Sequence, residues 1–118
     1  MYEYRIHSVD RVIDGDTVDV TIDLGFDILH KTRVRLWGIN TPESRTRDLE
    51  EKERGLAAKR RLVELLSEDV DYLLHTKEKG KFGRYLGILF KKEDGIREDI
   101  NKLLITEGHA VEYFGGKR

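Results

Sequence analysis

From Val18 to Leu24 apolar and polar residues alternate, with Asp19, Thr21 and Asp23 between Val18, Val20, Ile22 and Leu24. Successive side chains of a strand point to opposite faces, so this spacing predicts a half-buried strand. The segment Tyr4 to Val12 predicts a strand before it, ending at Asp14-Gly15, a hairpin dipeptide. A loop around Gly25 leads into a third strand from about Lys31 to Ile39, with Val34 and Leu36 on one face and Arg33, Arg35 and Trp37 on the other. The period then becomes helical from about Asp48 to Ser67. Ala58, Leu62, Leu65 and Leu66 form one apolar stripe, and Asp48, Glu50 and Glu51 suit the N-terminal end of the helix dipole. Gly55 predicts an irregular first part to that helix. Strands at about Val70 to Thr76 and Tyr85 to Phe90 follow, separated by a polar loop from Lys77 to Lys81, and Asp94-Gly95 marks a turn. Ile96, Ile100, Leu103 and Leu104 then recur at helical spacing, with Gly108 placed for a left-handed C-terminal cap.

Three strands, a helix, two strands and a helix predict an α+β, mainly β fold. Its core would be a five-stranded Greek-key barrel of the OB type, with a helix between strands 3 and 4 and a C-terminal helix. The 118 residues suit a single domain over 1–118, with Gly115 to Arg118 expected to fray. No apolar run is long enough for a membrane-spanning helix, so no membrane partner is expected. Residues Met1 to Arg5 show no secretory pattern, so an intracellular location and a monomeric state are the expectations. Cysteine is absent, and His7, His30, His75 and His109 lack zinc-ligand spacing. Any metal must therefore sit on oxygen or imidazole. A formal net charge of -1 excludes a binder that relies on overall basicity to neutralise phosphates. Local clusters remain at Arg45 with Arg47, at Lys59 to Arg61, and at Lys77, Lys79 and Lys81. Each is read as a solvated face or as local charge for an anion.

Three short motifs carry the candidate chemistry. In Asp14-Gly15-Asp16, two carboxylates flank a hairpin glycine, so one can project past the strand ends. Pro42 holds Thr41 extended and stiffens the turn after Asn40. Hard cations take carboxylate, amide and backbone carbonyl oxygens, a set that Asp16, Asn40 and Thr41 can supply. The third motif is Phe82-Gly83-Arg84.

The order Asp16, Arg35, Asn40-Thr41-Pro42-Glu43, Arg84, Gly108 resembles the staphylococcal nuclease (thermonuclease) family from about Ser8 to Ala110. The resemblance implies a metal-dependent phosphodiesterase acting on DNA and RNA, leaving 3′-phosphate and 5′-hydroxyl ends. It implies Ca2+ as cofactor, with Mg2+ or Mn2+ as alternatives, held by Asp16, Asn40 and the carbonyl of Thr41. Glu43 would be the general base or the group that positions the attacking water, and Arg35 and Arg84 would bind the phosphate. Lys81, Phe82, Tyr113 and Phe114 are the candidate substrate contacts; the Tyr113 and Phe114 rings suit base stacking or packing back on the barrel equally well, and Phe82, beside Arg84, stays open between packing and recognition. Asn40 departs from the pattern, which has aspartate there, and the missing charge predicts weaker cation binding. That departure keeps an alternative open: a catalytically silent OB-type module that binds nucleic acid or a protein. Joint presence of Asp16, Arg35, Glu43 and Arg84 favours the enzyme, since a module that only binds needs no general base.

Overall fold

The computed structural model describes residues 2–79 and 84–114. Strands β1 (Glu3–Asp14), β2 (Thr17–Asp23), β3 (Leu29–Leu36), β5 (Asp71–Lys79) and β6 (Tyr85–Glu93) form a closed barrel. Sheet order β3-β2-β1-β5-β6 is antiparallel throughout, and a parallel pairing of Val34 to Leu36 with Tyr85 to Gly87 closes it. This is the predicted OB-like α+β architecture. Helix α1 (Leu49–Leu65) connects the first three barrel strands to the last two, and α2 (Ile100–Thr106) follows β7 (Ile96–Asp99). Two short strands, β4 (Ile39–Asn40) and β8 (Val111–Glu112), pair with each other outside the main sheet. Among the described residues no helix is long and apolar enough to cross a membrane.

Period-two alternation sends Val18, Val20 and Ile22 inward, where they pack with Val34, Leu36, Leu74 and Leu89. Helix α1 covers the barrel with Leu62 and Leu65, both buried. Asp48 caps it by accepting from the N–H groups of Glu50 and Glu51, satisfying donors that the first turn leaves open. Arg61 reaches α2 through a two-pronged bond to Glu107 at 2.6 and 2.8 Å, which holds the Glu107 carboxyl below its usual range. At the end of α2, Gly108 takes φ 82°, and N–H bonds from Gly108 to Ile105 and from His109 to Leu104 complete the predicted left-handed cap.

Several boundaries differ from the sequence-based expectation. The third strand stops at Leu36 rather than Ile39 because Gly38 turns the chain at φ 79°, so Trp37 lies in a turn. Residues Lys77 to Lys79 extend β5 instead of forming a loop. Ile96 belongs to β7, which the Asp94-Gly95 turn folds back on β6; both residues have positive φ, as that tight hairpin requires. Only from Ile100 does the helical spacing apply. Helix α1 is regular through Gly55, for a tertiary reason given below. The expected fraying of Gly115 to Arg118 lies outside the described residues.

Buried Asn101 joins three segments. Its Oδ1 accepts from the N–H of Leu89 at 3.2 Å, and its Nδ2 donates to the carbonyls of Trp37 at 2.9 Å and Gly87 at 3.1 Å. Replacing it orphans the buried Leu89 N–H and the half-buried Trp37 carbonyl at about 1–3 kcal/mol each, while the Gly87 carbonyl keeps its bond from the Trp37 N–H at 2.7 Å. Asn101→Ala should therefore lower stability by on the order of 3 kcal/mol, read as a fall in the midpoint of urea unfolding. A midpoint within experimental error of the parent would remove Asn101 from this role.

Candidate active site

Asp14 pairs with Thr17, so Gly15 and Asp16 form the two-residue turn between β1 and β2. The turn lies against the end of β3, where the Leu36 N–H donates to the Asp16 carbonyl at 2.8 Å. Arg35 belongs to the face opposite buried Val34 and Leu36, as the alternation predicts, and this aims its guanidinium at the turn. The Gly38 turn then returns the chain through Asn40, and Thr41, Pro42 and Glu43 lead away from β4 toward α1. Strand β8 pairs with β4, and the Tyr113 N–H donates to the Gly38 carbonyl at 2.9 Å, drawing Tyr113 to the same place.

These segments enclose a polar concavity of about 320 Å3. Asp16, Arg35, Asn40, Thr41, Glu43 and Arg84 all line it, with Tyr113 on its wall. Six of the predicted metal and catalytic residues, spread over about seventy positions of sequence, thus share one site. Phe114 is placed elsewhere. Its ring packs edge-on against Trp37 at 5.1 Å between centroids, on the far side of the Gly38 turn. The predicted contacts Lys81 and Phe82, with Gly83, lie outside the described residues.

Asp16 is the electrostatic centre of the pocket. Its side chain is 9% exposed, and its Oδ2 accepts from Arg35 Nη1 at 3.0 Å and from the Thr41 N–H at 3.1 Å. Oδ1 accepts from the Thr17 hydroxyl at 3.1 Å. Arg35, 17% exposed, also donates from Nη2 to Asn40 Oδ1 at 3.3 Å. One guanidinium thus bridges two of the three predicted cation ligands. An unpaired buried carboxylate is costly, and in this arrangement Arg35 supplies the compensating charge. Arg35 approaches the Tyr113 ring at 6.0 Å as well. Glu43 is exposed, so its carboxylate can meet substrate and solvent. Ser44 donates to Asp14, which keeps the second carboxylate of the turn occupied at the pocket edge.

The donor set suits a hard divalent cation in type: a carboxylate at Asp16, an amide oxygen at Asn40 and a backbone carbonyl at Thr41, with water completing the shell. The buried Thr41 Oγ1 has no hydrogen-bond partner among the described residues and lies on the Gly15 side, toward α1. Among the described residues no three acidic or histidine side chains are placed together so as to hold a metal ion, although Asp14, Asp16 and Glu43 all line the pocket.

Two residues that sequence reasoning did not assign to the site hold it together. A Cβ on Gly55 would lie 2.5 Å from the carbonyl carbon and oxygen of Glu43 and 2.7 Å from the Pro42 oxygen. A Cβ on Gly15 would meet the Ala58 Cβ at 2.7 Å and the Thr41 side chain at 3.1 Å. The turn and the Thr41-Pro42-Glu43 segment therefore rest directly on the small-residue face of α1. A glycine inside a helical pattern was the available signal, since such a position costs about 1 kcal/mol unless close packing requires it.

The family model described as "Staphylococcal nuclease homologue" matches residues 33–118. No curated protein matches the chain.

Gly55→Ala separates the packing role from propensity. Propensity alone favours alanine by about 1 kcal/mol in a helix, whereas a Cβ forced against backbone atoms should destabilise by about 1–3 kcal/mol net. Thermal unfolding of the variant reads the sign. A raised midpoint would show that the loop does not rest on Gly55.

Proposed function

Because the chain belongs to the staphylococcal nuclease homologue family, a family of nuclease-type or nucleic-acid-binding domains, we propose that its polar pocket hydrolyses phosphodiesters of DNA or RNA with a divalent cation, Ca2+ first among the candidates. The convergence of Asp16, Arg35, Asn40, Thr41, Glu43 and Arg84 on one concavity carries this proposal.

Asp16, Asn40 and Thr41 would hold the cation, which when bound supplies charge neutralisation at a phosphate oxygen. Arg84 and the N–H groups of Arg35 that do not engage Asp16 or Asn40 would hydrogen-bond the other phosphate oxygens. Arginine suits that position because its fork stays charged and matches two oxygens at once. The Glu43 carboxylate would accept a proton from a water as that water attacks phosphorus. A new P–O bond forms to the water oxygen and the bond to the 5′ oxygen breaks. The 5′ oxygen takes up a proton, giving a 3′-phosphate and a 5′-hydroxyl. Tyr113, on the pocket wall, would stack against a base next to the cleaved linkage. Exposed Glu43 needs no rearrangement to meet solvent. Arg35 must divide its donors between Asp16 and substrate.

A second proposal, a binding module without turnover, is favoured by one observation. Asp16 is the only carboxylate in the candidate cation shell, and Arg35 already neutralises it.

End-labelled single-stranded DNA and RNA, incubated with the protein in Ca2+ and then in EDTA, distinguish the two. The enzyme predicts cleavage that EDTA abolishes. Glu43→Gln should slow that cleavage by at least about 100-fold, while affinity for the same oligonucleotide in Ca2+, read by fluorescence anisotropy, changes by less than about twofold. Arg84→Ala should slow turnover by a comparable factor; it is a cleaner probe than an Arg35 variant, which also strips a buried carboxylate of its partner. Binding without cleavage in the unmodified protein would leave the module as the function.

A further inference from the structure

The barrel closes along a short seam, where Val34, Arg35 and Leu36 of β3 pair in parallel with Tyr85, Leu86 and Gly87 of β6. Both arginines of the pocket belong to this seam, Arg35 within the pairing and Arg84 one residue before it. The ladder continues by one bond, from the Trp37 N–H to the Gly87 carbonyl at 2.7 Å. Bonds of a parallel ladder run evenly and in alternate directions, so the next rung would join the Leu89 N–H to the Trp37 carbonyl. The Asn101 side chain stands in that rung. Its Oδ1 accepts from the Leu89 N–H at 3.2 Å and its Nδ2 donates to the Trp37 carbonyl at 2.9 Å. A side-chain amide carries the donor and acceptor of a peptide group, which lets it be spliced between two strands with both ends paired. The splice is held by packing. Asn101 is 3% exposed, and its neighbours on α2, Ile100 and Leu104, are fully buried in the core.

By standing in this rung Asn101 sets where β3 leaves β6. The chain turns at Gly38 directly after Trp37 and returns through β4, whose Asn40 accepts from Arg35 at 3.3 Å. The Thr41 N–H then bonds Asp16 Oδ2 at 3.1 Å, and Asp16 is tied to the same end of β3 through the Leu36 N–H. Arg35 and Asn40 are only five positions apart. A rung closed directly between Leu89 and Trp37 would shift the point of departure, and the short return could not absorb the shift before Asn40.

We infer that Asn101 is a positioning residue for the polar pocket, its amide fixing the placement of Asn40 and Thr41 against Arg35 and Asp16 from outside the pocket lining. An amide that served only to satisfy Leu89 and Trp37 would cost stability on removal and leave the pocket as it is. A positioning amide does both. The geometric part of this inference stands apart from the proposed reaction; its effect on turnover rests on that reading.

Native-state hydrogen exchange of the full chain, followed residue by residue by NMR, tests the geometry with the Thr41 N–H as reporter. Leu104→Ala is the control, since it removes a fully buried side chain of the same helix and spares the rung. With the two variants compared at equal global stability, set by urea, Thr41 protection should be at least about tenfold lower in Asn101→Ala than in Leu104→Ala. Asn101→Gln, whose amide is displaced by one methylene, should change Thr41 in the same direction and serves if the alanine variant does not fold. Cleavage of an oligonucleotide in Ca2+ reads the chemical consequence: kcat should fall at least about tenfold in Asn101→Ala with KM within about threefold, and stay within about twofold of the parent in Leu104→Ala. Equal Thr41 protection in Asn101→Ala and Leu104→Ala would overturn the inference, whether or not the protein cleaves nucleic acid. So would lost protection with kcat unchanged. Absence of cleavage by the unmodified protein would strike the nuclease reading alone, and the exchange comparison then decides the role of Asn101.

Discussion

How closely two stretches of backbone can approach α1 governs the rest of this structure. At Gly55 the helix leaves no room for a Cβ beneath the Pro42 and Glu43 carbonyls, and at Gly15 the hairpin turn meets Ala58 in the same manner. These contacts bring the Asp16 turn and the Thr41-Pro42-Glu43 segment onto one helix face, although they lie on opposite sides of β2 and β3 in sequence. Larger residues at either glycine would separate the carboxylate from Thr41, whose N–H now bonds it at 3.1 Å. The barrel supplies the remaining partner by aiming Arg35 outward from the strand whose other face is buried. Positioning of this kind, from packed elements rather than from loops alone, is what a preorganised site needs.

Electrostatics within the pocket follow from burial. Asp16 is nearly enclosed, so its charge requires a counter-charge, and Arg35 provides one while also reaching Asn40. In the proposed reaction this arginine has two claims on it, the carboxylate and a phosphate. A cation held by Asp16 would take over the neutralising role and free guanidinium donors for substrate. Cation and phosphate binding should therefore support each other through Arg35. Asparagine at position 40 limits the negative charge for which the two cations compete.

The barrel strands were legible because their burial has period two and leaves a regular mark, clearest from Val18 to Leu24. Strand ends were less so. Gly38 breaks β3 by a positive φ that a single glycine in a strand pattern does not announce, and Ile96 fits a helical spacing by coincidence while pairing with Glu93. The two-residue strands β4 and β8 arise only from long-range pairing, which local pattern cannot contain. For the site, the residue types and their order indicated which side chains meet. Their connections were hidden, because the Arg35 bridge between Asp16 and Asn40 depends on β3 register and on the turn at Gly38. Gly55 was misread for a related reason: propensity treats a helical glycine as a weakness, whereas contact with Glu43 makes it a requirement. Of the two alternatives open for the neighbouring aromatic pair, Phe114 takes packing, against Trp37, while Tyr113 lines the pocket, a division that depends on the pairing of β8 with β4.

Central to this account is a cation held by Asp16, Asn40 and Thr41, and calorimetric titration of Ca2+ into the unmodified protein and into Asn40→Asp tests it most directly. The added carboxylate raises ligand charge in an oxygen-donor shell, so Ca2+ should bind Asn40→Asp more tightly than the parent. Equal Ca2+ affinity in the two proteins would place position 40 outside the shell and contradict the proposed cation site.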